Sequence, residues 1–354
     1  MEKYVDNVYL INMDKDTERL EKVTKECKKF NINFERFCGI NPLKLSKKEL
    51  NKYVSKTCQN ICPNGIIGCG VSHMKIYEDA IKNNYKNILV LEDDVYFSDE
   101  LYEELNKAML ELPKDYDILY LGCFGICDKE QVYNMDLNLL FHLYTNFLSK
   151  FKSTVSFGDS RVCLNKTDCT YKNECEKKLN NKYKYIHIPE FPLSTHGMMI
   201  SNKGCKKLLN LIEKLNYHID TTIALKSNQL NIYITRKRLI YQSWDDSKNS
   251  SMSSNYLLKN NNNNNNIPPY SYFLNIYVIK IFNINISLLD IIFFLLGIFS
   301  YINKYLFIFI LVFLIINQNT SILISYLIGY LIIYIIFNLN NFDTFRVENN
   351  KIKI

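Results

Sequence analysis

The sequence predicts an α/β protein with a mixed, largely parallel sheet, followed by C-terminal transmembrane helices. Short apolar runs typical of buried strands alternate with amphipathic helices of ten or more residues, and this pattern favours parallel strand pairing. The composition then changes, because the chain is mixed up to about Asp246 but dominated by Ile, Leu, Phe and Tyr from Ser271 to Leu339. With 354 residues, the chain has ample material for a core besides this apolar region.

The strands and helices of the α/β region follow from the spacing of apolar residues. We expect a helix from about Thr17 to Phe30, because its apolar side chains recur at helical spacing on one face. Further helices are expected after Ser72-His73, after Ser98 and after the last strand. The predicted strands are Val8–Asn12, Phe34–Phe37, Asn87–Leu91, Asp117–Leu121 and Met198–Ile200.

The charge and the cysteines restrict the class of protein. The net charge is +7, but Lys and Arg are scattered among Asp and Glu, so we expect a solvated surface and no nucleic-acid partner. The eleven cysteines lack the paired C-x-x-C spacing of a zinc site. No signal peptide precedes the first strand, so reduced thiols and a cytoplasmic catalytic domain are expected.

Composition also predicts the domain boundaries. Seven consecutive asparagines, Asn260–Asn266, cannot bury enough apolar surface to offset their ordering entropy, and they indicate a linker. We therefore expect an α/β domain over residues 1–250 and an Asn-rich linker over 251–272. Residues 273–340 would span a membrane, and residues 341–354 would form a short polar tail.

The apolar region predicts a multi-pass C-terminal membrane anchor. Leu295–Ile316 and Ile322–Phe337 are two candidate spans, and a third is possible around Ser287–Ile302. Basic residues follow the last span, whereas the turn Asn317–Ser321 is uncharged, so both ends of a hairpin would be cytoplasmic. The alternative is a buried helical hairpin without a membrane.

The main candidate site is the run Glu92, Asp93 and Asp94, which directly follows an apolar strand. Ligands of open α/β sheets bind outside the carboxyl ends of the strands. Three adjacent carboxylates repel one another there unless a cation is bound, and Mn²⁺ or Mg²⁺ would also bridge a substrate diphosphate. The alternative is an acidic strand-to-loop transition in which the Asp residues cap the next turn.

Other polar residues are candidates with weaker signals. Asn12 and Arg19 follow the first strand and suit contacts with a base, a ribose or a phosphate, although these residues alone favour a surface helix start with salt bridges. His196 is a candidate metal ligand or a satisfied structural histidine. Asp220 is a candidate general base.

A glycine-rich run gives a further candidate. Gly65, Gly68 and Gly70 lie ahead of Ser72 and His73, and we expect them just before a helix N-terminus, where phosphate or sugar would bind. A tight connection between elements explains the glycines equally well.

Four stretches in this order resemble glycosyltransferase family 25, which covers lipooligosaccharide galactosyltransferases and collagen hydroxylysine galactosyltransferases. The four stretches are Val8–Arg19, Gly65–His73, Ile88–Val95 and Thr195–Gly204. The apolar tail lies outside the resemblance. Gly197-Met198 stands where the family more often has Ala-Tyr, which leaves the acceptor contacts open.

The resemblance implies a GT-A type nucleotide-sugar-binding domain, a UDP-sugar donor, Mn²⁺ and inversion at the anomeric carbon. Glu92 and Asp94 would bind the metal together with His196. Asp220 would act as base or position the acceptor. The remaining implied contacts are to the nucleotide sugar, from Asn12, Arg19, Ser72, His73 and Asp93.

The resemblance leaves the substrate and two other functions open. The transferred hexose would be galactose or glucose, and the acceptor a hydroxyl of a glycan, a lipid-linked glycan or a protein hydroxylysine at a membrane. The alternatives are a catalytically silent scaffold or sugar-binding module, and a metal-dependent nucleotide-sugar hydrolase or nucleotidyltransferase.

Overall fold

A computed structural model describes residues 1–126, 183–189, 191–243, 277–281, 284–316 and 320–351. The chain divides into two compact units. The first contains the described residues up to Ser243 and the second those from Tyr277 onwards. The predicted linker, residues 251–272, lies outside the described residues.

The first unit alternates strands and helices. Its helices are α1 (Thr17–Lys29), α2 (Lys47–Tyr53), α3 (Lys56–Ile61), α4 (Asn64–Lys82), α5 (Leu101–Glu111), α6 (Asn202–Ile212) and α7 (Ile219–Leu225). Its strands are β1 (Asn7–Asn12), β2 (Glu35–Cys38), β3 (Asn87–Glu92), β4 (Val95–Phe97), β5 (Ile118–Tyr120), β6 (Phe124–Ile126), β7 (Ile186–His187), β8 (Phe191–Leu193), β9 (Gly197–Ser201), β10 (Ile232–Thr235) and β11 (Ile240–Gln242).

Seven strands form the central sheet in the order β2-β1-β3-β9-β5-β10-β7. Parallel pairing joins β1 to both β2 and β3, and β5 to β10, whereas β9 is antiparallel to β3 and β5. Strand β7 is antiparallel to β10, so five of the seven strands run in one direction. The predicted mixed, largely parallel sheet is confirmed. Strand β1 lies between β2 and β3 in the sheet. The chain passes from β1 to β2 on one side and later returns to β3 on the other, and this reversal leaves a crevice at the carboxyl ends of β1 and β3.

Apolar side chains on both faces of the sheet form the core. The inner strands β3 and β5 are buried on both faces, as expected for strands that helices cover on each side. Helix α1 contributes Val23 and Cys27 to this core, at the four-residue spacing that places them on one face.

The glycine-rich run lies inside a helix, so its predicted position before a helix N-terminus is wrong. Helix α4 begins at Asn64 and contains all three glycines. A Cβ at Gly68 would lie 2.4 Å from the Ile40 carbonyl oxygen, and one at Gly70 would lie 2.5 Å from a methyl carbon of Leu215. These glycines allow neighbouring segments to approach the helix closely.

The second unit contains a hairpin and three helices. Its elements are β12 (Tyr277–Ile281), β13 (Ile284–Ser287), α8 (Leu288–Ser300), α9 (Lys304–Ile316) and α10 (Thr320–Lys351). Leu289, Ile310, Leu314, Ile322 and Tyr326 form its small buried core. Within it, a Cβ at Gly297 would lie 2.1 Å from the Tyr326 carbonyl oxygen, so α8 and α10 pack at close range.

In the part of the chain that the structure describes, no helix combines the length and the apolar character needed to cross a membrane. The predictions of transmembrane helices in residues 273–340 and of a multi-pass C-terminal anchor are therefore wrong. The membrane partner and the cytoplasmic orientation that were inferred from this anchor lose that basis. The predicted span Leu295–Ile316 is split between α8 and α9 by a turn at 301–303. Each of these helices has 13 residues, or about 20 Å, against a hydrocarbon core of about 30 Å. Helix α10 is longer, but amide and charged residues are frequent from Asn338 onward.

Asp290, which a third span would have placed within a membrane, caps α8 instead. Its carboxylate accepts hydrogen bonds from the Ser287 backbone N–H at 2.9 Å and the Ser287 hydroxyl at 2.7 Å. The Asp290 N–H donates to the Ser287 hydroxyl in return, at 3.2 Å. This reciprocal pattern satisfies backbone donors at the helix start.

Candidate active site

The carboxyl ends of β1 and β3 bring polar side chains together at the crevice. Asn12, the last residue of β1, donates from Nδ2 to Asp93 Oδ2 at 2.7 Å and to the Asp16 carbonyl oxygen at 3.1 Å. Arg36 Nε donates to Asn12 Oδ1 at 2.9 Å, which fixes the orientation of the amide. The end of β1 and the acidic run after β3 therefore meet at the same edge of the sheet.

Arg19 lies between the two aspartates. Its Nη2 is 2.9 Å from Asp93 Oδ1 and 2.6 Å from Asp94 Oδ2, and all three side chains are largely buried. Gln242, at the end of β11, donates from Nε2 to Asp94 Oδ2 at 2.9 Å. Gln242 carries no sequence signal as a site residue, because it is a single amide after an apolar run.

The electrostatics of this cluster are dominated by burial. Burial raises the pKa of Asp94 to about 7, against the opposing effect of Arg19 and with further increases from Glu92 and Asp93. Burial also raises the pKa of Asp93, although Arg19 and Asn12 oppose it. Among the described residues, Asp94 Oδ1 and Arg19 Nε are buried without a hydrogen-bond partner. The cluster therefore contains one buried acceptor atom and one buried donor atom that make no hydrogen bond among the described residues.

Glu92 contacts a different set of residues. Thr195 Oγ1 donates to Glu92 Oε1 at 2.8 Å, and His73 Nε2 lies 3.8 Å from the same oxygen. Burial would raise the pKa of Glu92, but favourable interactions with His73 and Thr195 outweigh it and lower the pKa. Three atoms that could bind a metal ion, one each on Glu92, His73 and Cys69, lie within 4.8 Å of one another.

The turn before β9 holds His196 and Asp220. His196 is fully buried, with Nδ1 hydrogen-bonded to the Ser194 hydroxyl and Nε2 3.3 Å from the Ile240 carbonyl oxygen. Burial lowers the pKa of His196. Asp220 Oδ2 accepts from the Ser194 backbone N–H at 3.1 Å, and Ser194 has a positive φ of 75°. The predicted roles of His196 as a metal ligand and Asp220 as a base stay predictions.

Ser72 is engaged within the fold. Its hydroxyl donates to the Gly68 carbonyl oxygen at 2.7 Å and accepts from the Ile40 N–H at 2.9 Å. These bonds tie α4 to the segment after β2, and the predicted sugar contact of Ser72 stays a prediction. Thr195 and Cys69 were not predicted as site residues, although both lie within the two motifs that suggested His196 and His73.

Sequence comparisons with known proteins identify relatives of this chain. The family model described as glycosyltransferase family 25 (LPS biosynthesis protein) matches residues 5–223, more than half of the chain. A glycosyltransferase 25 family member of Anopheles gambiae is 27% identical over 126 residues, which cover 33% of this chain and 21% of that protein. Procollagen galactosyltransferase 2 of Mus musculus is 23% identical over 128 residues, which cover 33% of this chain and 20% of that protein.

The match includes β1, β3 and the acidic residues at the carboxyl end of β3. The chain belongs to glycosyltransferase family 25. The chain spans about a fifth of the length of the two relatives, so the similarity concerns one region of those longer proteins. The solved structure of A197 from STIV aligns over 66% of this chain and 83% of that chain, at 10% identity and a TM-score of 0.34.

Proposed function

We propose that the chain transfers a hexose, galactose or glucose, from a UDP-sugar to a hydroxyl of a glycan or a protein, with inversion and with the help of Mn²⁺ or Mg²⁺. The observation that carries the proposal is the meeting of Arg19 with Asp93 and Asp94 at the carboxyl ends of β1 and β3. The name of the mouse relative, a procollagen galactosyltransferase, favours galactose as the sugar and a protein hydroxyl among the acceptors.

The donor would bind across the crevice between β1 and β3. Arg19 Nε is buried and unpaired among the described residues, and a diphosphate oxygen is the acceptor that suits a guanidinium best. Asn12 is positioned at the same edge, and its Nδ2 already donates to two oxygen atoms. Diphosphate binding by Arg19 would weaken its hold on the aspartates and free them for a cation.

The residues present fit a hard divalent cation. Asp94 Oδ1 is buried without a hydrogen-bond partner in the described chain, and carboxylate oxygens are the preferred ligands of Mn²⁺ and Mg²⁺. Asp93 and Asp94 would hold the ion, and Glu92 would join them only after leaving Thr195. When bound, the ion supplies charge that offsets the negative charge developing on the leaving diphosphate.

The proton and bond changes follow from inversion. The acceptor hydroxyl oxygen forms a bond to the anomeric carbon while the bond from that carbon to the diphosphate oxygen breaks, and UDP leaves with the electron pair. Asp220 would take the hydroxyl proton. Its carboxylate accepts from Ser194 N–H and from Thr221, and a carboxylate has lone pairs for a further hydrogen bond.

The test is calorimetric titration of the full chain with UDP-galactose, UDP-glucose and UDP-GlcNAc, in Mn²⁺ and in EDTA. We expect one UDP-sugar to bind, with affinity that falls at least tenfold in EDTA and in Asp94→Asn. Asp99→Asn is the matched control, because Asp99 is exposed and pairs only with Lys29 among the described residues. A fall of at least tenfold in Asp94→Asn with no change in Asp99→Asn supports the metal site.

Three outcomes would contradict the proposal. UDP-sugar binding that is equally strong in EDTA would show that no metal ion takes part in donor binding. No binding of any of the three donors would favour the catalytically silent scaffold. Release of free hexose without a glycosylated acceptor would instead indicate the hydrolase.

A further inference from the structure

Cys69, His73 and Glu92 form a cluster beside the Arg19, Asp93 and Asp94 contact, and Glu92 is turned toward Thr195 and His73 there. Cys69 and His73 lie four residues apart on α4, so both side chains are on the same face of the helix. That face meets the end of β3, where Glu92 is the last residue. The sulfur, the imidazole nitrogen and a carboxylate oxygen lie within 4.8 Å of one another.

His73 supplies an independent indication of a ligand. Its side chain is fully buried, and Nε2 has no hydrogen-bond partner among the described residues, being 3.8 Å from Glu92 Oε1. The other ring nitrogen, Nδ1, faces the Tyr77 hydroxyl at 3.5 Å, so the ring is oriented with Nε2 toward the cluster. A buried imidazole nitrogen without a partner is costly unless something binds it.

Glu92 is held in place in a way that suits a metal ligand. Thr195 Oγ1 donates to Glu92 Oε1 at 2.8 Å and so fixes the carboxylate at the cluster. Hydrogen bonds of this kind orient the ligands of metal centres. Cys69 and Glu92 are only half-buried, so the cluster is accessible to an ion.

We propose that Cys69, His73 and Glu92 bind one Zn²⁺ ion, separate from the divalent cation at Asp93 and Asp94. Sulfur, imidazole and carboxylate together are a set that Zn²⁺ prefers and that Mn²⁺ and Mg²⁺ do not. Tetrahedral zinc keeps such ligands about 3.3–3.6 Å apart, so the observed separation closes by small side-chain rotations. Three protein ligands leave a fourth position open to water.

The site would tie α4 to the end of β3. Zinc binding would replace the thiol proton of Cys69 by the metal, with the proton released to solvent. Because the folded chain binds the ion and the unfolded chain lacks the assembled site, Zn²⁺ should raise the melting temperature. It would also hold Glu92 away from Asp94, which keeps the two cation sites distinct.

The experiment uses the full chain, treated with a chelator, desalted under reducing conditions and kept free of UDP-sugar and Mn²⁺. Zn²⁺ is titrated by calorimetry, and Co²⁺ is titrated as a spectroscopic probe of a metal–thiolate bond. We expect one equivalent of Zn²⁺, a cobalt–thiolate absorption band and a rise in melting temperature. Cys69→Ser should abolish the band and weaken Zn²⁺ binding at least tenfold.

The control is Cys205→Ser, which removes another buried thiol, on α6, and should leave both signals unchanged. Glu92→Gln is a second variant, which should keep the cobalt–thiolate band but weaken Zn²⁺ binding at least tenfold. It tests the site even if Cys69→Ser does not fold. Zinc affinity that is unchanged in either Cys69→Ser or Glu92→Gln would overturn the site. The zinc titration contains no UDP-sugar and no Mn²⁺, whereas the transferase test uses both and varies Asp94. A failure of one proposal can therefore be distinguished from a failure of the other.

Discussion

Arg19 Nη2 lies 2.6 Å from Asp94 Oδ2, and the pair connects the start of α1 with the turn after β3. Both side chains are largely buried, so solvent screens their attraction only weakly. The guanidinium compensates two adjacent carboxylates that would otherwise repel each other at the edge of the sheet. The predictions about the candidate site follow from this contact.

Replacing Arg19 by Gln should destabilise the metal-free protein. The change leaves Asp93 and Asp94 buried without a cation, which costs on the order of 3 kcal/mol in the free energy of unfolding. Urea denaturation in EDTA measures the loss. Mn²⁺ should restore part of the stability, because an ion at the two carboxylates would replace the charge that was removed.

The matched control for Arg19→Gln is Lys25→Gln, which breaks an exposed ion pair with Glu21. This loss should be no more than about 0.5 kcal/mol. Equal, small losses in the two variants would show that the buried contact contributes little to stability.

Asp94 should make stability depend on pH in the metal-free protein. Its pKa is about 7 in the folded state because of burial, and about 3.9 in the unfolded chain. The folded state therefore holds the extra proton between these values, and the free energy of unfolding falls as pH rises from about 4 to about 7. The slope from this single group is at most about 1.4 kcal/mol per pH unit.

Asp94→Asn isolates this contribution. The difference in unfolding free energy between wild type and variant should change with pH between about 4 and 7, and be constant above that range. Urea titrations in EDTA across this range give the measurement. Parallel curves for the two proteins would rule out the raised pKa.

Gly68→Ala should destabilise the fold more than Gly70→Ala. The added Cβ at position 68 meets a backbone carbonyl oxygen, that of Ile40, whereas at position 70 it meets the methyl carbons of the Leu215 side chain. We expect a loss of about 1–3 kcal/mol for Gly68→Ala. Gly70→Ala should cost less, because Leu215 can rotate and alanine favours the helix by about 1 kcal/mol. Thermal melts of both variants decide the order.

Ser287→Ala should loosen the start of α8. The Ser287 hydroxyl accepts from Asp290 N–H and donates to the Asp290 carboxylate, and loss of such a cap costs about 1 kcal/mol. Amide hydrogen exchange at Asp290 should accelerate accordingly. Ser325→Ala, which removes only one 3.2 Å bond to Asp290, should leave that amide protected, and equal exchange in the two variants would contradict the cap.

The sequence was sufficient for the elements whose signals are local. Strands β1 and β3 and the acidic residues after β3 follow from a compact apolar run that ends in charge. Their meeting with Asn12 and Arg19 follows from the rule that parallel strands place their carboxyl ends at one edge. The ion pair itself was not predicted, because it depends on the orientation of two side chains from separate segments.

Other features could not be read from the sequence for physical reasons. The glycines of α4 indicated a loop because glycine disfavours helices, and only the neighbouring Ile40 carbonyl explains why they are needed within one. The predicted spans of the C-terminal region rest on its apolar composition, which does not reveal the turn at 301–303 that separates α8 from α9. Gln242 joined the site through the long-range pairing of β11 with β4.

The central position of β9 determines the order in which the sheet can be completed. Strand β9 pairs with β3, more than 100 residues earlier in the chain, and separates β3 from β5. During synthesis, β3 and β5 therefore emerge before β9, the strand that pairs with both of them. Until β9 is made, each has an open apolar edge. Such long-range pairing slows folding, and the unpaired edges are prone to aggregation until residue 201 has left the ribosome. We expect the nascent chain to depend on chaperones up to that point.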